Sequence, residues 1–283
     1  MLYLSSQVAR AMNRLQLLPL LRIGYKLTIL NHTFKIPIIE NKEGLIYNLG
    51  IGEPFLLSVF EQLYKVKSFT FLDAGVNFGQ TLLKIKAVQP DVVYIGFEPS
   101  GLCSYYTSHL IKVNQFNNAK LIRCALSNKT GVLTLNAQSD GDTRATILEN
   151  TLTREENVFQ ELVPVVTLDS LISIITESGK DILLKVDVEG AEWLVFQGAT
   201  IFIDRFRPVI VFENLPSRED PVKRQQQQAI TDFFVAKNFS LYMIDEENKK
   251  ISAIKKIDNS QEILKTNYLA VPAEKKSSFP ILA

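Results

Sequence analysis

Residues 69–79, Phe-Thr-Phe-Leu-Asp-Ala-Gly-Val-Asn-Phe-Gly, join a short apolar run to an acid and two glycines that open a predicted helix. A second apolar run, residues 92–97, ends at Glu98. This layout is typical of a mononucleotide-binding βαβ unit, in which glycines form the strand-to-helix turn and the acid after the next strand binds the ribose hydroxyls. The sequence therefore predicts a site for a cofactor that contains adenosine.

The residue in the middle of the glycine turn separates the cofactor classes. Asn77 stands where a dinucleotide-binding turn has its second glycine, and a side chain there keeps the backbone away from a pyrophosphate. The sequence also contains no Gly-x-x-x-x-Gly-Lys-Ser/Thr loop, which argues against a nucleoside triphosphate. S-adenosylmethionine carries adenosine without phosphate and is therefore the cofactor that the turn favours.

Several short blocks follow one another along the chain in a recognisable order. They are Asp73-Ala-Gly-Val-Asn-Phe-Gly79, Gly96-Phe-Glu-Pro99, Ala125-Leu-Ser-Asn-Lys-Thr-Gly131, Val166-Thr-Leu-Asp-Ser-Leu171, Lys185-Val-Asp-Val-Glu-Gly-Ala-Glu192, Val211-Phe-Glu213 and Asn267-Tyr-Leu-Ala270. On these residues the chain resembles the FkbM family of S-adenosylmethionine-dependent methyltransferases. The first block usually reads Asp-Val-Gly-Ala-Asn in the family, so this chain exchanges two small apolar residues and keeps the polar ones.

The resemblance implies a class I methyltransferase fold, which is an α/β, Rossmann-like fold with a seven-stranded, mostly parallel sheet and helices on both faces. The alternation of apolar runs with helical segments predicts the same parallel sheet. Residues 245–260 are charged and do not form a clear helix between the last two predicted strands. We therefore expect a hairpin there, with the final strand running antiparallel. Residues 1–66 are expected to form an N-terminal extension of amphipathic helix, short hairpin and helix, and residues 67–283 the cofactor-binding domain. The predicted strands are 69–72, 92–97, 120–126, 182–186, 209–212, 239–244 and 267–271.

The polar blocks fall at the carboxyl ends of the predicted strands, where open parallel sheets bind their ligands. The resemblance implies that Glu98 holds the ribose diol and that Ser127 lies near the adenine. Asp73 and Asn77 are expected to order the glycine turn and to meet the methionine end of the cofactor. The full set of expected cofactor-binding residues is Asp73, Gly75, Asn77, Gly79, Glu98, Pro99, Ser127 and Asp187.

Four carboxylates near the ends of the fourth and fifth predicted strands are candidates for a catalytic base. A positioned base that takes a proton from an acceptor hydroxyl contributes about 10²- to 10⁴-fold. Asp187 is the first choice and Glu213 the second, while Glu189 and Glu192 complete the set. Glu192 also has a structural interpretation, as an acid in the first turn of a helix. Because no histidine or paired-aspartate ligand spacing accompanies these acids, no metal site is predicted.

The composition limits the class of protein. With 283 residues, of which 46% are hydrophobic, the chain can bury a large core. The net charge of +1 provides no basic field for a nucleic acid. Cys103 and Cys124 form neither a disulfide framework nor a metal-ligand spacing, so we expect a reducing, cytoplasmic location.

The first 39 residues contain basic but no acidic side chains. Apolar residues recur at helical spacing at Leu4, Val8, Ala11, Leu15 and Leu18, which predicts a basic amphipathic helix. Residues 1–30 are candidates for peripheral contact with a membrane; a helix that caps the core or joins two copies in a homodimer is the more ordinary alternative. Downstream, residues 34–39 predict a short strand or hairpin and residues 54–64 a helix.

These features leave three functions open. The first is O-methylation of a hydroxyl on a small molecule or glycan, which the resemblance implies and the carboxylates suit. The second is a nicotinamide-dependent oxidoreductase, against which the missing middle glycine and the absence of a Tyr-x-x-x-Lys proton relay count. The third is a non-catalytic protein that keeps the fold for binding.

The polar segment 137–163, which includes Asp142, Thr143 and Arg144, is the candidate acceptor loop.

Overall fold

A computed structural model describes residues 3–5, 7–8, 12, 24–38, 52–148, 159–175, 181–216, 220–257 and 266–279. The strands are β1 (Tyr3–Ser5), β2 (Gly24–Ile29), β3 (His32–Ile36), β4 (Phe69–Ala74), β5 (Tyr94–Phe97), β6 (Ala119–Ile122), β7 (Ala125–Leu126), β8 (Gly131–Ala137), β9 (Phe159–Val166), β10 (Asp181–Val186), β11 (Val209–Glu213), β12 (Phe239–Asp245), β13 (Lys250–Ile254) and β14 (Asn267–Pro272). The α-helices are α1 (Pro54–Val66), α2 (Gln80–Val88), α3 (Gly101–Val113), α4 (Ile172–Ile175), α5 (Glu192–Gln197), α6 (Thr200–Phe206) and α7 (Pro221–Ala236).

The central sheet has the strand order β13-β12-β14-β11-β10-β4-β5-β6. The five strands from β11 to β6 are parallel, and β14 runs antiparallel between β11 and β12. The antiparallel final strand is thus confirmed. The sheet also has an eighth strand, β13, which pairs with β12 at the edge. This strand was not predicted, because its residues lie in the charged segment 245–260.

Both faces of the sheet are covered by hydrophobic core. On one face, Phe71 of β4 packs with Phe60 of α1 and with apolar residues of α2. On the other face, Leu72, the next residue of β4, packs in a cluster with Phe234 of α7 and apolar residues of α5 and α6. Neighbouring residues that alternate between two buried clusters are typical of a parallel strand covered on both sides.

The start of α7 is set by local capping. The Asp220 carboxylate accepts the N–H groups of Val222 at 2.9 Å and Lys223 at 3.2 Å. Pro221 stands in the first helical turn, where its missing N–H costs nothing. These features fix the helix that runs from the end of β11 toward β12.

The N-terminal region adds a three-stranded sheet, β1-β2-β3, whose buried side chains join the main core. The predicted hairpin exists, but it pairs β2 with β3 and therefore begins ten residues before the expected segment 34–39 (34 − 24 = 10). Leu4, predicted in a helix, lies in β1, because parallel pairing with β2 satisfies its backbone. Val8 is helical; Ala11, Leu15 and Leu18 lie outside the described residues.

A second small sheet has the order β7-β9-β8. The predicted strand 120–126 is divided, because the Cys124 N–H donates to the Ile122 carbonyl at 3.0 Å and turns the chain away from β6. Its second half becomes β7, which pairs with β9. The segment 137–163 was expected to be irregular, yet its two ends belong to the antiparallel pair β8 and β9. Residues 149–158 lie outside the description.

Within the described ranges, no helix combines the length and the apolar character needed to cross a lipid bilayer.

Candidate active site

A cavity of about 410 Å³ opens at the carboxyl ends of β4, β5, β10 and β11. The strand order reverses between β4 and β10, which is where open α/β sheets bind ligands. The volume lies in the range of small-molecule sites. Of the residues predicted from the sequence, the wall contains Gly75, Asn77, Glu98, Pro99, Asp187, Glu189 and Glu213, whereas Asp73, Gly79, Ser127 and Glu192 lie outside it.

The glycine turn has a backbone that few residues tolerate. Gly75 and Gly79 have φ values of 86° and 82°, and Asn77 between them has a φ of 52°. A Cβ at Gly75 would collide with the carbonyl oxygen of Asp187, so this position requires glycine. Asparagine is among the side chains most often found in the left-handed region. The turn directs the Asn77 N–H to Glu98 Oε2 at 2.7 Å.

Glu98 connects the glycine turn to the end of β5. Its Oε2 accepts the N–H of Asn77, and its Oε1 accepts the N–H of Ser100 at 2.8 Å. Burial raises the pKa of Glu98 to about 7, although the two hydrogen bonds oppose this. A carboxylate oxygen has two acceptor sites, so Glu98 retains capacity for two further donors. A ribose diol supplies two.

Asp73 lies beneath the cavity and joins three strands. Its Oδ2 accepts the hydroxyl of Tyr94 on β5 at 2.6 Å, and its Oδ1 lies 4.0 Å from Lys185 Nζ on β10. Burial raises the pKa of Asp73 to about 6, and Lys185 and Tyr94 limit the rise. The side chain thus supports the floor under the glycine turn, and its direct contact with a cofactor stays a prediction.

Asp187, Glu189 and Glu213 each place a carboxylate oxygen within 4.8 Å of the other two. Burial, followed by the charge of Asp187, raises the pKa of Glu213 to about 10 and that of Glu189 to about 8. Burial also acts on Asp187, but the Lys185 ammonium at 2.8 Å outweighs it and lowers the Asp187 pKa below its ordinary value. At neutral pH the group therefore carries its charge on Asp187 and protons on Glu213 and Glu189.

The same three oxygens are spaced closely enough to hold one cation, an arrangement that the sequence did not predict. Lys185 already supplies a positive charge to Asp187 at this point. The acids therefore have a counterion within the protein. That the site functions without a metal stays a prediction.

The remaining predicted residues stand behind the wall. Glu192 is buried, and its Oε1 accepts the N–H groups of Val188 at 3.2 Å and Gly190 at 3.1 Å. It thereby fastens the turn between β10 and α5. Ser127 is buried after β7, and its hydroxyl has no hydrogen-bond partner in the described part of the chain. Gly79 caps α2.

The candidate acceptor loop forms part of the cavity wall. The Asp142 carboxylate accepts the N–H groups of Gln138 and Arg144, both at 3.0 Å, and so closes a tight loop. Asn77 Nδ2 donates to the Thr143 carbonyl at 3.4 Å. The loop is therefore tied directly to the glycine turn.

Two charged wall residues were missed by the sequence reasoning. Lys185 lies in a buried strand two residues before Asp187, so both side chains project to the same face. A lysine inside an apolar run indicates a partner, because lysine is almost never buried unpaired. Glu53 precedes α1 and pairs with the buried Lys84 at 3.1 Å. It lies outside every recognised block, and no signal in the sequence links it to the site.

Acidic residues outnumber basic residues in the wall. The two basic side chains are already engaged, because Lys185 pairs with Asp187 and Arg144 Nε lies 3.6 Å from Asp142. Such a wall favours a cationic ligand, whose charge Glu189 and Glu213 can meet by releasing their protons, and disfavours phosphate groups. S-adenosylmethionine has a sulfonium, an ammonium, one carboxylate and no phosphate, so its net charge is positive and the residues present fit it. The acids of the wall are Glu53, Glu98, Asp142, Asp187, Glu189 and Glu213.

Comparison with solved structures finds similar chains of low sequence identity. The methyltransferase FkbM of Methylobacillus flagellatus KT is 13% identical, with a TM-score of 0.45, and the match covers 80% of this chain and 52% of that one. This chain thus spans about half the length of the Methylobacillus protein. An O-methyltransferase of Bacillus cereus, solved in complex with SAH, is 12% identical with a TM-score of 0.43, covering 94% of this chain and 87% of that one. None of the curated proteins compared with the chain matches it.

A comparison with family models gives the family of the chain. The model of the methyltransferase FkbM domain matches residues 73–241. This range runs from the first residue of the glycine turn to β12 and includes Glu98, Asp187, Glu189 and Glu213. The predicted class I methyltransferase fold is confirmed, and the chain belongs to the FkbM methyltransferase family.

Proposed function

We propose that this protein transfers the methyl group of S-adenosylmethionine to a hydroxyl of a small-molecule or saccharide acceptor. The observation that carries the proposal is the acid-rich cavity that begins at the glycine turn. A cationic cofactor without phosphate suits this charge, whereas NAD would bring two phosphates against carboxylates. Membership of the FkbM methyltransferase family supports the same chemistry.

The strand order gives the approximate distance between the two ends of the proposed cofactor site. Glu98 follows β5 and Asp187 follows β10, with β4 between them. Neighbouring strands are about 4.8 Å apart, so the backbones of β5 and β10, which these two acids follow, are separated by roughly 10 Å. With the ribose at Glu98, the sulfonium would lie toward the acids after β10 and β11.

Glu189 is the carboxylate best suited to act as the base. Lys185 keeps Asp187 ionised and therefore weakly basic, and Glu213, with a pKa raised by burial to about 10, holds its proton. Burial raises the pKa of Glu189 to about 8, and the positive charge of a bound sulfonium would lower it, so that Glu189 is ionised near the working pH that suits a general base. Its φ of 52° places it in the left-handed region, and such strained backbone clusters at functional sites.

S-adenosylmethionine, when bound, supplies an electrophilic methyl group on a positively charged sulfur. Glu189 would take the proton of the acceptor hydroxyl, so that the oxygen could accept the methyl group that the cofactor would supply. The products are a methyl ether, a neutral thioether and a protonated Glu189, so atoms and charge balance. Asp187 supplies fixed negative charge near the sulfonium, and the cavity wall aligns the two reactants, which contributes much of the rate.

Isothermal titration calorimetry with S-adenosylmethionine, S-adenosylhomocysteine and NAD tests the cofactor. We expect binding of both sulfur compounds and none of NAD. Binding of NAD alone would favour a nicotinamide-dependent oxidoreductase and refute the proposal. Radiolabelled S-adenosylmethionine, offered with a panel of alcohols and methyl glycosides, then tests transfer; tight cofactor binding without transfer to any of them would favour a non-catalytic protein.

The role of Glu189 is tested on the acceptor that the panel identifies. Glu189→Gln removes the base and should lower kcat by about 10²- to 10⁴-fold, with far less effect on cofactor affinity. Glu247→Gln is the matched control, because Glu247 is an exposed acid outside the cavity. A Glu189→Gln protein with normal kcat would exclude Glu189 as the base.

A further inference from the structure

A second cavity, of about 170 Å³, adjoins the first. The two share Arg144, Thr146 and Glu189 in their walls. The second cavity is smaller than the roughly 300–1,000 Å³ of a site for a drug-sized ligand, so it suits a unit of the size of one sugar ring. Glu189, proposed above as the base, is thus common to the space for the cofactor and to this neighbouring space.

Asn214 gives this cavity an unused hydrogen-bond acceptor. The residue follows β11, is 6% exposed, and its backbone is fixed by donation of its N–H to the Thr266 carbonyl at 2.8 Å. Its side-chain Oδ1 is buried and has no hydrogen-bond partner among the residues that the structure describes. A buried acceptor without a partner is costly, so Asn214 is placed to receive a donor from a ligand.

Trp193 supplies an aromatic side of the cavity. It lies in the first turn of α5 and is only half-buried. The Phe233 ring of α7 meets it edge-on, at 5.9 Å between centroids and 82° between planes. An aromatic face carries partial negative charge and so attracts the weakly positive C–H groups of a sugar ring.

The charged and amide groups of the cavity suit a neutral, hydroxylated ligand. Lys223 and Gln226, both on α7, bring donors, while Glu189 and Glu192 bring acceptors. With Arg144, the wall has two basic and two acidic side chains, and burial raises the pKa values of the acids, Glu189 to about 8 and Glu192 to about 7, so that neither acid is strongly held in its charged form. A phosphate would meet the two carboxylates and a polyamine the two cations, whereas hydroxyl groups both donate and accept.

We infer that this second cavity is the acceptor subsite and that it binds a saccharide unit of the acceptor. This inference rests on the proposed function, because it assigns the substrate class of the same reaction. A sugar ring beside Trp193 would hydrogen-bond through its hydroxyls to Asn214 and Gln226. One hydroxyl would then reach Glu189, where the two cavities meet.

The chain's single tryptophan makes the inference testable without turnover. Trp193 fluorescence is measured while the protein, with and without excess S-adenosylhomocysteine, is titrated with methyl glucoside, galactoside, mannoside and fucoside. We expect a saturable change with at least one of these glycosides. Inorganic phosphate and an aliphatic alcohol, titrated in the same way, should produce none.

Three variants locate the binding. Gln226→Ala and Asn214→Leu each remove one hydrogen bond and should weaken glycoside binding by about 2- to 12-fold. Gln225→Ala is the matched control, since Gln225 is exposed on the same helix and does not line the cavity. The Gln225→Ala protein should bind the glycoside with unchanged affinity. Gln226→Ala, at a half-buried position, remains informative if Asn214→Leu lowers the melting temperature.

The possible failures are distinct. If no glycoside alters the fluorescence while S-adenosylhomocysteine still binds, the saccharide subsite is refuted and the proposed methyl transfer stands. A saturable response to phosphate, or to the alcohol alone, would also overturn the subsite. If glycosides bind as expected but neither sulfur compound does, the proposed function fails while saccharide recognition stands.

Discussion

The sharpest prediction concerns Asp187→Asn, a change that keeps the shape of the side chain and removes its charge. Asp187 accepts from Lys185 Nζ at 2.8 Å, and Lys185 is 5% exposed. The neutral amide of the variant cannot compensate the positive charge of Lys185. Lys185 is then left with Asp73, whose nearest oxygen is 4.0 Å away. We therefore expect Asp187→Asn to lower the free energy of unfolding, even though no hydrophobic contact is lost.

The expected cost can be estimated from the exposure of the pair. Removing one partner of a fully buried ion pair costs about 3–5 kcal/mol. Asp187 is 23% exposed and Asp73 compensates in part, so we expect about 2–3 kcal/mol. For a domain of this size, such a loss lowers the melting temperature by about 4–12 °C.

Urea denaturation in a double-mutant cycle isolates the pair. Asp187→Asn, Lys185→Met and the double variant should give a coupling energy of about 1–3 kcal/mol, because the double variant leaves no unpaired lysine. The control cycle uses Lys237 and Asp204, which are 2.6 Å apart but have one partner 54% exposed, and should couple by less than about 1 kcal/mol. Additivity of the first cycle within about 0.5 kcal/mol would refute the reasoning.

Further expectations follow from the other acids. Glu98→Ala should weaken S-adenosylmethionine binding by about 10- to 150-fold, because hydrogen bonds to a charged group are lost; an unchanged dissociation constant in a folded variant would mean that the ribose binds elsewhere. Methyl transfer should survive exhaustive chelation, and a loss restored by Mg²⁺ would instead assign Asp187, Glu189 and Glu213 to a cation. Burial raises the pKa of Glu213 from 4.5 to about 10, so the native state keeps a proton that the unfolded chain releases. The ligand-free protein should therefore lose stability as the pH rises through this range, and Glu213→Gln should flatten the decline in a series of melting curves. Finally, a bound sulfonium lowers the pKa values of Glu213 and Glu189, so calorimetry in buffers of different ionisation enthalpy should show more protons released with S-adenosylmethionine than with S-adenosylhomocysteine.

Much of the fold was predictable from the sequence because its parallel strands are short apolar runs that end in polar residues. The run before Asp73 and the run before Glu98 became β4 and β5, neighbours in the sheet. Since parallel strands end at one edge, the acids after them had to lie near one another. This is why the sequence alone could place Glu98, Asp187 and Glu213 at one site.

Other features depend on contacts between distant segments, which no local pattern contains. The division of residues 120–126 follows from the pairing of β7 with β9, whose strand begins more than thirty residues later (159 − 126 = 33). The pairing of Leu4 with Tyr25 prevailed over a helical spacing of apolar residues. Likewise, Glu53 reaches the cavity only because α1 packs on the sheet, and the pKa differences among the carboxylates arise from burial and from Lys185.

The position of β14 has a consequence for how the protein is made. β14 lies between β11 and β12, yet it follows both in the chain, after α7 and β13. During synthesis, β11 and β12 must therefore wait for the strand that separates them, with their pairing edges open. Unpaired edges promote association between nascent chains. A chain that ends before Asn267 should accordingly aggregate on expression, even though every cavity residue named above has already been translated.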